Sequence, residues 1–332
     1  MPVLRRDAMT RLLPITDDSL SLAVQTLAVG GLVSFPTETV YGLGADARNP
    51  RAVASIFDAK NRPQFNPLIS HVATTEAAFA LGMPTPSATA LAAAFWPGPM
   101  TLVLYRTNDC PIAMLTSAGL DKVAIRVPAH PDAKRLLQLF NAPVAAPSAN
   151  PSGKISPTRS EHVMQSLEGR IDLILDGGPC ESGIESTIID CTGPTVQLLR
   201  PGGITTAQVS AALEAAGLSG VIDTPSESNR PASPGQLASH YAPDATLRLA
   251  ALEADADEEL IGFGPVSGQG KLGLSLSIIG DVNEAAANLF DMLHRADAAG
   301  CNRIAVAPIP EQGLGEAIND RLRRAAAPRD AI

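Results

Sequence analysis

From Ser19 to about Gly217, amphipathic stretches alternate with short apolar runs closed by glycine, proline or polar residues. The helical period runs through "SLSLAVQTLAVGG", "PRAVASIFDAKNR", the Ala-rich "SATALAAAFWPG", "HPDAKRLLQLFNAP" and "TTAQVSAALEAAGL". Asp17 or Asp18 is placed to cap the first of these, and Pro97 and Gly98 stop the third. Runs rich in β-branched and apolar residues predict strands at "LVSF", "PLISHV", "MTLVLYR", "KVAIRVP", "VAAPSAN", "IDLILDGG", "STIIDCT" and "TVQLLRPG". Strict βαβ alternation needs fewer strands, so the expectation over residues 1–218 is an α/β domain with a mixed, twisted, α+β-like sheet.

The pattern changes over residues 219–243. "SGVIDTPSESNRPASPGQLASHYAP" is dominated by Ser, Pro, Gly and polar residues and exceeds an ordinary connection, which marks it as a linker with a role of its own. Residues 233–243 are expected to act as a lid. Over residues 244–332 the alternation resumes. "ATLRLAAL", "LIGFGP", "LSLSIIG" and "RIAVAPI" predict strands; "NEAAANLFDMLHRADAAG" and "LGEAINDRLRRAAA" predict helices. In the first helix Ala285, Leu289, Met292, Leu293 and Ala296 share a face, with Asn283 as cap and Gly300 as stop. A second, smaller Rossmann-like α/β domain is the reading.

Composition removes several classes. Of 332 residues 45% are hydrophobic and 18% charged, enough for two cores. No apolar run approaches the roughly 18 residues of a membrane helix, and the N-terminus lacks the apolar core of a secretory signal. A cytoplasmic protein without membrane partners is expected. Cys110, Cys180, Cys191 and Cys301 are scattered and fit no zinc spacing, so no protein-held metal is expected. The net charge of −9 disfavours stable nucleic-acid binding, and aromatics at 4% give few stacking platforms. "GQGKLG" (268–273) fits G-x-G-x-x-G, but an apolar run follows it where the dinucleotide fingerprint needs a helix, so a turn is expected.

Candidate chemistry concentrates in the first domain. "SFPTETVYGLGADA" (34–47) ends an apolar run with hydroxyls and glycines, as a chain does when it turns and presents polar groups to something small. Lys60 and Arg62 stand just beyond a helix, where they can converge on phosphate oxygens or simply face solvent. Asn66 and, at a strand end, His71 follow. Ser148, Asn150 and Ser156 suit a ligand or their own turns. Ser186, Thr187 and Arg200 flank strand ends. Arg126 lies in an apolar strand, where an unpaired charge is expensive, so an anionic partner from protein or ligand is expected.

Taken in order, "SFPTETVYGLGADA", "AKNRPQFNPLISH", "AIRVP", "APSAN", "ESTIID" and "LLRPG" resemble the YrdC-like threonylcarbamoyl-AMP synthases, and "SPGQLASHYAP" resembles the linker of their longer, two-domain members. The resemblance covers nearly the whole chain; beyond the linker it rests on position and expected fold. It implies a YrdC-like fold and the condensation of L-threonine, bicarbonate (or CO2) and ATP into threonylcarbamoyl-AMP with release of pyrophosphate. The product would pass to a tRNA threonylcarbamoyl transferase complex that modifies adenosine 37 of tRNAs reading codons that begin with A. By the same resemblance Thr37, His71, Arg126, Ala146 (through its backbone) and Ser186 would hold threonine. Arg62, Asn66, Lys122, Ser148, Asn150, Ser156, Arg200 and Tyr241 would hold ATP. Lys60 and Arg62 would serve at the phosphates, and Mg2+ would come with ATP, bound mainly through phosphate and water. The linker departs from the pattern in lacking a more basic segment before His240. An RNA-binding groove built from the same basic residues is the rival reading, and a carbamoyl-transfer domain of a larger maturase is another.

Overall fold

The structure, a computed structural model, describes residues 9–224 and 239–328. Part of the expected lid, 233–238, lies outside the described residues.

The first domain runs β1 (Arg11–Pro14), α1 (Asp17–Ala28), β2 (Val33–Phe35), β3 (Gly42–Asp46), α2 (Pro50–Lys60), β4 (Ile69–His71), α3 (Thr75–Leu81), α4 (Pro86–Phe95) and β5 (Met100–Tyr105). It continues through β6 (Lys122–Arg126), α5 (Pro131–Phe140), β7 (Val144–Ala145), α6 (Ser160–Leu167), β8 (Leu173–Asp176), β9 (Thr187–Asp190), β10 (Val196–Arg200), α7 (Thr206–Ala215) and β11 (Ile222–Asp223). Its sheet has eleven strands in the order β1-β8-β2-β3-β7-β4-β6-β5-β9-β10-β11. Pairing is mixed: β4 and β6 are parallel, whereas β5 and β6, like β9 and β10, are antiparallel. Helices cover both faces. Leu173 and Leu175 of β8 point into a cluster with Leu20, Leu27 and Leu136, while Ile174 between them joins the main core with Ile56, Val163 and Leu167. That is the two-residue alternation of a strand buried on both sides.

The second domain is β12 (Thr246–Arg248), β13 (Glu259–Ile261), α8 (Val282–Ala298), β14 (Arg303–Val306) and α9 (Gly315–Ala326). Its three strands are parallel in the order β12-β14-β13. Its core does not close on itself: Leu289, Phe290, Ile304 and Ile318 pack in one cluster with Val40, Ile155 and Ile184 of the first domain and Tyr241 of the linker.

Several local expectations change. β3 is a central, fully buried strand where the glycines suggested a turn. A Cβ on Gly44 would stand 2.9 Å from both Phe35 and Val144, so this glycine serves strand packing, not approach to a ligand. The strands β1 and β3 and the helices α3 and α6 carry too short or too glycine-rich a signal to be read from periodicity. α1 is capped by Thr16, in a reciprocal box with Ser19, because Asp17 and Asp18 already lie inside the first turn. Likewise Asp281, not Asn283, caps α8, its carboxylate accepting from the amides of Asn283 and Glu284. "LSLSIIG" forms no named strand; Ser275 makes one isolated bridge to Gly262, and Ile278 and Ile279 are exposed. "GQGKLG" follows a short 3-10 turn and opens no helix.

Candidate active site

Strand register assembles the site. One row crosses the sheet from Val144 of β7 to His71 of β4, Arg126 of β6, Thr101 of β5, Ile188 of β9 and Arg200 of β10. His71, Arg126 and Arg200, scattered in sequence, thus come to one level at one end of the sheet. The β2–β3 turn, the loop after β7 and the residues before β9 close around that level. The resulting cleft is lined by Thr37, Arg62, His71, Arg126, Ala146, Ser148, Ser186, Arg200 and Tyr241, with Thr39, Gly42, Glu185 and His240 among the others.

Each group is held by specific bonds. Thr37 donates to the Val40 carbonyl at 2.7 Å and accepts from the Val40 amide at 3.2 Å, so its hydroxyl also closes its own turn. Arg126 has the anionic partner its burial demanded, and it is protein: Nη2 meets Glu38 Oε1 at 2.7 Å, Nη1 meets Thr39 at 2.9 Å and Nε meets the Gly98 carbonyl at 3.3 Å. Burial alone would raise the Glu38 pKa, but the charge and hydrogen bond of Arg126 outweigh it and hold the carboxyl below its ordinary range. His71 packs edge-on against Phe35. Burial first, and Arg126 second, push its pKa down to about 3, so it is a neutral imidazole, and its Nδ1 has no protein partner. Ala146 spends its amide on the Ile69 carbonyl at 2.9 Å.

On the other side, Arg62 reaches the Asn66 and Pro67 carbonyls at 3.2 and 3.0 Å. Burial lowers its pKa to about 9. Arg200 grips Ser186 through its carbonyl at 2.9 Å and its hydroxyl at 3.2 Å, and Ser186 pairs with Thr101 at 2.7 Å. Ser156 gives its hydroxyl to Glu185 Oε1 at 2.5 Å. Tyr241 is stacked on Phe290 and buried, with His240 edge-on beside it.

Other expected site residues stand behind the lining or apart from it. Lys60, buried beneath the loop after β7, gives its ammonium to the carbonyls of Ser148, at 2.6 Å, and Asn150. Burial, with Arg62 adding to it, lowers its pKa well below the ordinary value. Lys122 sits at the opposite end of β6 from Arg126 and pairs with Asp190 at 3.0 Å. Asn66, Asn150 and Ser156 are buried next to the cleft without lining it. Both amide atoms of Asn66, Asn150 Oδ1, Tyr241 Oη and His240 Nδ1 lack a protein partner, a costly condition that a polar ligand would relieve. Sequence reasoning misses Glu38, Thr39, Glu185 and His240. Glu38, Glu185 and His240 each adjoin a residue that it does single out, and Thr39 lies two positions from one, so a signal exists, but a lone side chain of this kind beside a strand end has no pattern of its own.

The cleft is cationic, with three arginines and several hydroxyls around a neutral histidine. The mixed sheet with helices on both faces makes this an α/β protein whose cleft carries three arginines at one end of the sheet. Residues 25–202 match the family described as "Telomere recombination", and residues 204–327 match "Threonylcarbamoyl-AMP synthase, C-terminal domain". The chain is 39% identical over 334 residues to the threonylcarbamoyl-AMP synthase of Bacillus subtilis, covering 96% of this chain and 95% of that one. It is 35% identical to the synthase of Schizosaccharomyces pombe, covering 89% of this chain and 85% of that one. Among solved structures, Pyrococcus abyssi Sua5 complexed with L-threonine matches with a TM-score of 0.85 at 36% identity, over 96% of this chain and 97% of that chain. The chain belongs to the threonylcarbamoyl-AMP synthase family.

Proposed function

We propose that this protein condenses L-threonine, bicarbonate (or CO2) and ATP into threonylcarbamoyl-AMP. The observation that carries the reading is convergence: Thr37, Arg62, His71, Arg126, Ala146, Ser148, Ser186, Arg200 and Tyr241, far apart along the chain, line one cleft. The ammonium form of threonine and bicarbonate give the N-carboxylate with loss of water and a proton. A carboxylate oxygen of that carbamate then attacks the α-phosphorus of ATP, and pyrophosphate leaves.

The residues supply position and charge, with no nucleophile required of the protein. Thr37 and Ser186 offer hydroxyls to the threonine side chain. Arg126 has five N–H donors, of which three are used by Gly98, Thr39 and Glu38, so two remain for the substrate carboxylate. Neutral His71 can accept a hydrogen bond through Nδ1 without repelling the ammonium form of threonine. Arg62 and Arg200 neutralise the phosphates and the Ser148 hydroxyl faces the nucleotide, while Asn66 and Asn150 stand behind the cleft wall. Tyr241 and His240 wall the cleft against water, which would hydrolyse a carbamate held in the open.

Mg2+ would accompany ATP. Glu38 and Glu185, the carboxylates at the cleft, are each taken by an arginine, and among the described residues no cluster of three or more His, Cys, Asp or Glu can hold a metal. The ion would therefore ride on phosphate and water. Among the described residues no helix is long and apolar enough to cross a membrane. The product would pass, in the cytoplasm, to the transferase complex that threonylcarbamoylates adenosine 37 of tRNA.

The test is pyrophosphate release from ATP and bicarbonate with each amino acid in turn. Release should require threonine. Release at the same rate without any amino acid would sink the proposal.

A further inference from the structure

The buried face of α9 consists of Ala317, Ile318, Leu322 and Ala325, and in the middle of it stands Arg321, 1% exposed. Packing alone would be served there by a leucine. A guanidinium out of water is costly unless its donors are paired, and the pairing of Arg321 points away from its own domain. Nε donates to Glu185 Oε2 at 3.0 Å, and Nη1 to the Pro201 carbonyl at 2.7 Å as well as to the neighbouring Asp320 at 2.9 Å. Its plane lies over the Tyr241 ring, with the guanidinium carbon 5.3 Å from the centroid. Glu185 in turn accepts the Ser156 hydroxyl. Arg321 Nη2 is buried without a protein partner.

The three first-domain and linker contacts fall on three separate pieces of cleft wall. Glu185 precedes Ser186, Pro201 follows Arg200, and Tyr241 is the linker residue that closes the cleft. Building on the ATP reading above, we infer that Arg321 is a positioning residue for ATP, delivered to the cleft by the C-terminal domain. One rigid fork fixes the distance between the Ser156–Glu185 pair, the Arg200 strand end and Tyr241. It acts through those groups and leaves the reacting atoms to others. The second domain is then part of the nucleotide site and not an appended module.

A plain interdomain clamp would make the same contacts, so the test separates positioning from docking. Arg159 and Asp291 form another interdomain ion pair, at 2.9 Å, with no member lining the cleft. Arg321→Met, Arg321→Lys and Arg159→Ala are compared by thermal melting, by steady-state pyrophosphate release against ATP, and by direct ATP binding in equilibrium dialysis. Arg321→Met should raise the ATP KM at least ten-fold and weaken ATP binding to match, while kcat at saturating ATP stays within about three-fold. Arg321→Lys, which keeps charge but not the fork, should fall between it and wild type. Arg159→Ala should lower the melting temperature without moving either ATP constant. If Arg321→Met does not fold, Arg321→Lys decides. ATP constants unchanged in folded Arg321 variants, or raised equally by Arg159→Ala, overturn the inference. Wild-type protein that binds ATP but releases no pyrophosphate with threonine would instead sink the functional reading. The dialysis constants of the variants would still decide the role of Arg321.

Discussion

Arg62 and Thr37 are legible in the sequence, because each belongs to a motif with several polar residues at a strand or helix end. Arg62→Ala should raise the ATP KM by an order of magnitude or more, about 1.4 kcal/mol per factor of ten, with the melting temperature little changed. A folded variant with normal turnover at limiting ATP would contradict that. Thr37→Val removes a hydroxyl that closes its own turn and that the proposed function also assigns to the substrate. We expect a loss of about 1–3 kcal/mol of stability and a rise in the threonine KM with the ATP KM unchanged. Equal rises in both constants would reduce Thr37 to a turn-former. Glu38, Glu185 and Arg321 are not legible. A buried carboxylate or guanidinium is recognised by its partner, and these partners lie 88 and 136 residues away. Arg126 is half legible: an arginine in an apolar strand announces that it has an anion, but not which one.

At the scale of elements, strand and helix periodicity recovers the central framework, because strands such as β5 and β6 and helices such as α2 and α8 bury regular faces. β3 escapes because Gly42 and Gly44 are poor strand formers taken one at a time, and tertiary packing against Phe35 and Val144 overrides the propensity. The reverse holds for "LSLSIIG", where alternation suggests a strand but the segment pairs only through one isolated bridge. The loop from Cys180 to Ser186 shows how one element meets another. Gly183 has φ +67°, and a Cβ there would lie 2.4–2.5 Å from the backbone of Ala286 and Ala287 in α8. Helix backbone cannot yield, so Gly183→Ala should cost about 2 kcal/mol or more in denaturant unfolding and should loosen the second domain from the cleft. Wild-type stability in that variant would show that the loop and α8 are not held so closely.

For the whole molecule, acid should unfold the protein in a manner set by histidines. Burial lowers the pKa of His71 and His162 to about 3 and that of His294 to about 4, from an ordinary value of 6.5. The unfolded chain therefore binds protons that the folded chain refuses. This stabilisation is complete above pH 6.5 and is lost as the pH falls toward 3. Each histidine contributes a slope of about 1.4 kcal/mol per pH unit inside that window. Between pH 6.5 and about 5 carboxylates stay ionised in both states, so the slope there reports histidine. His162 and His294 stack with centroids 3.8 Å apart across the domain boundary, and the double variant His162→Phe, His294→Phe should reduce the slope of the urea midpoint between pH 6.5 and 5, leaving the part due to His71 and the buried His240. An unchanged slope would place the acid sensitivity elsewhere. The cleft is walled by the first domain and the linker around one arginine-bearing level of the sheet. The central claim is that this level joins threonine, bicarbonate carbon and AMP. The direct measurement is mass spectrometry of the products formed from ATP, threonine and carbon-13 bicarbonate. The expected product is an adenylate carrying both threonine and the labelled carbon, formed in step with pyrophosphate. AMP or ADP accumulating with no label in any adenylate would contradict it.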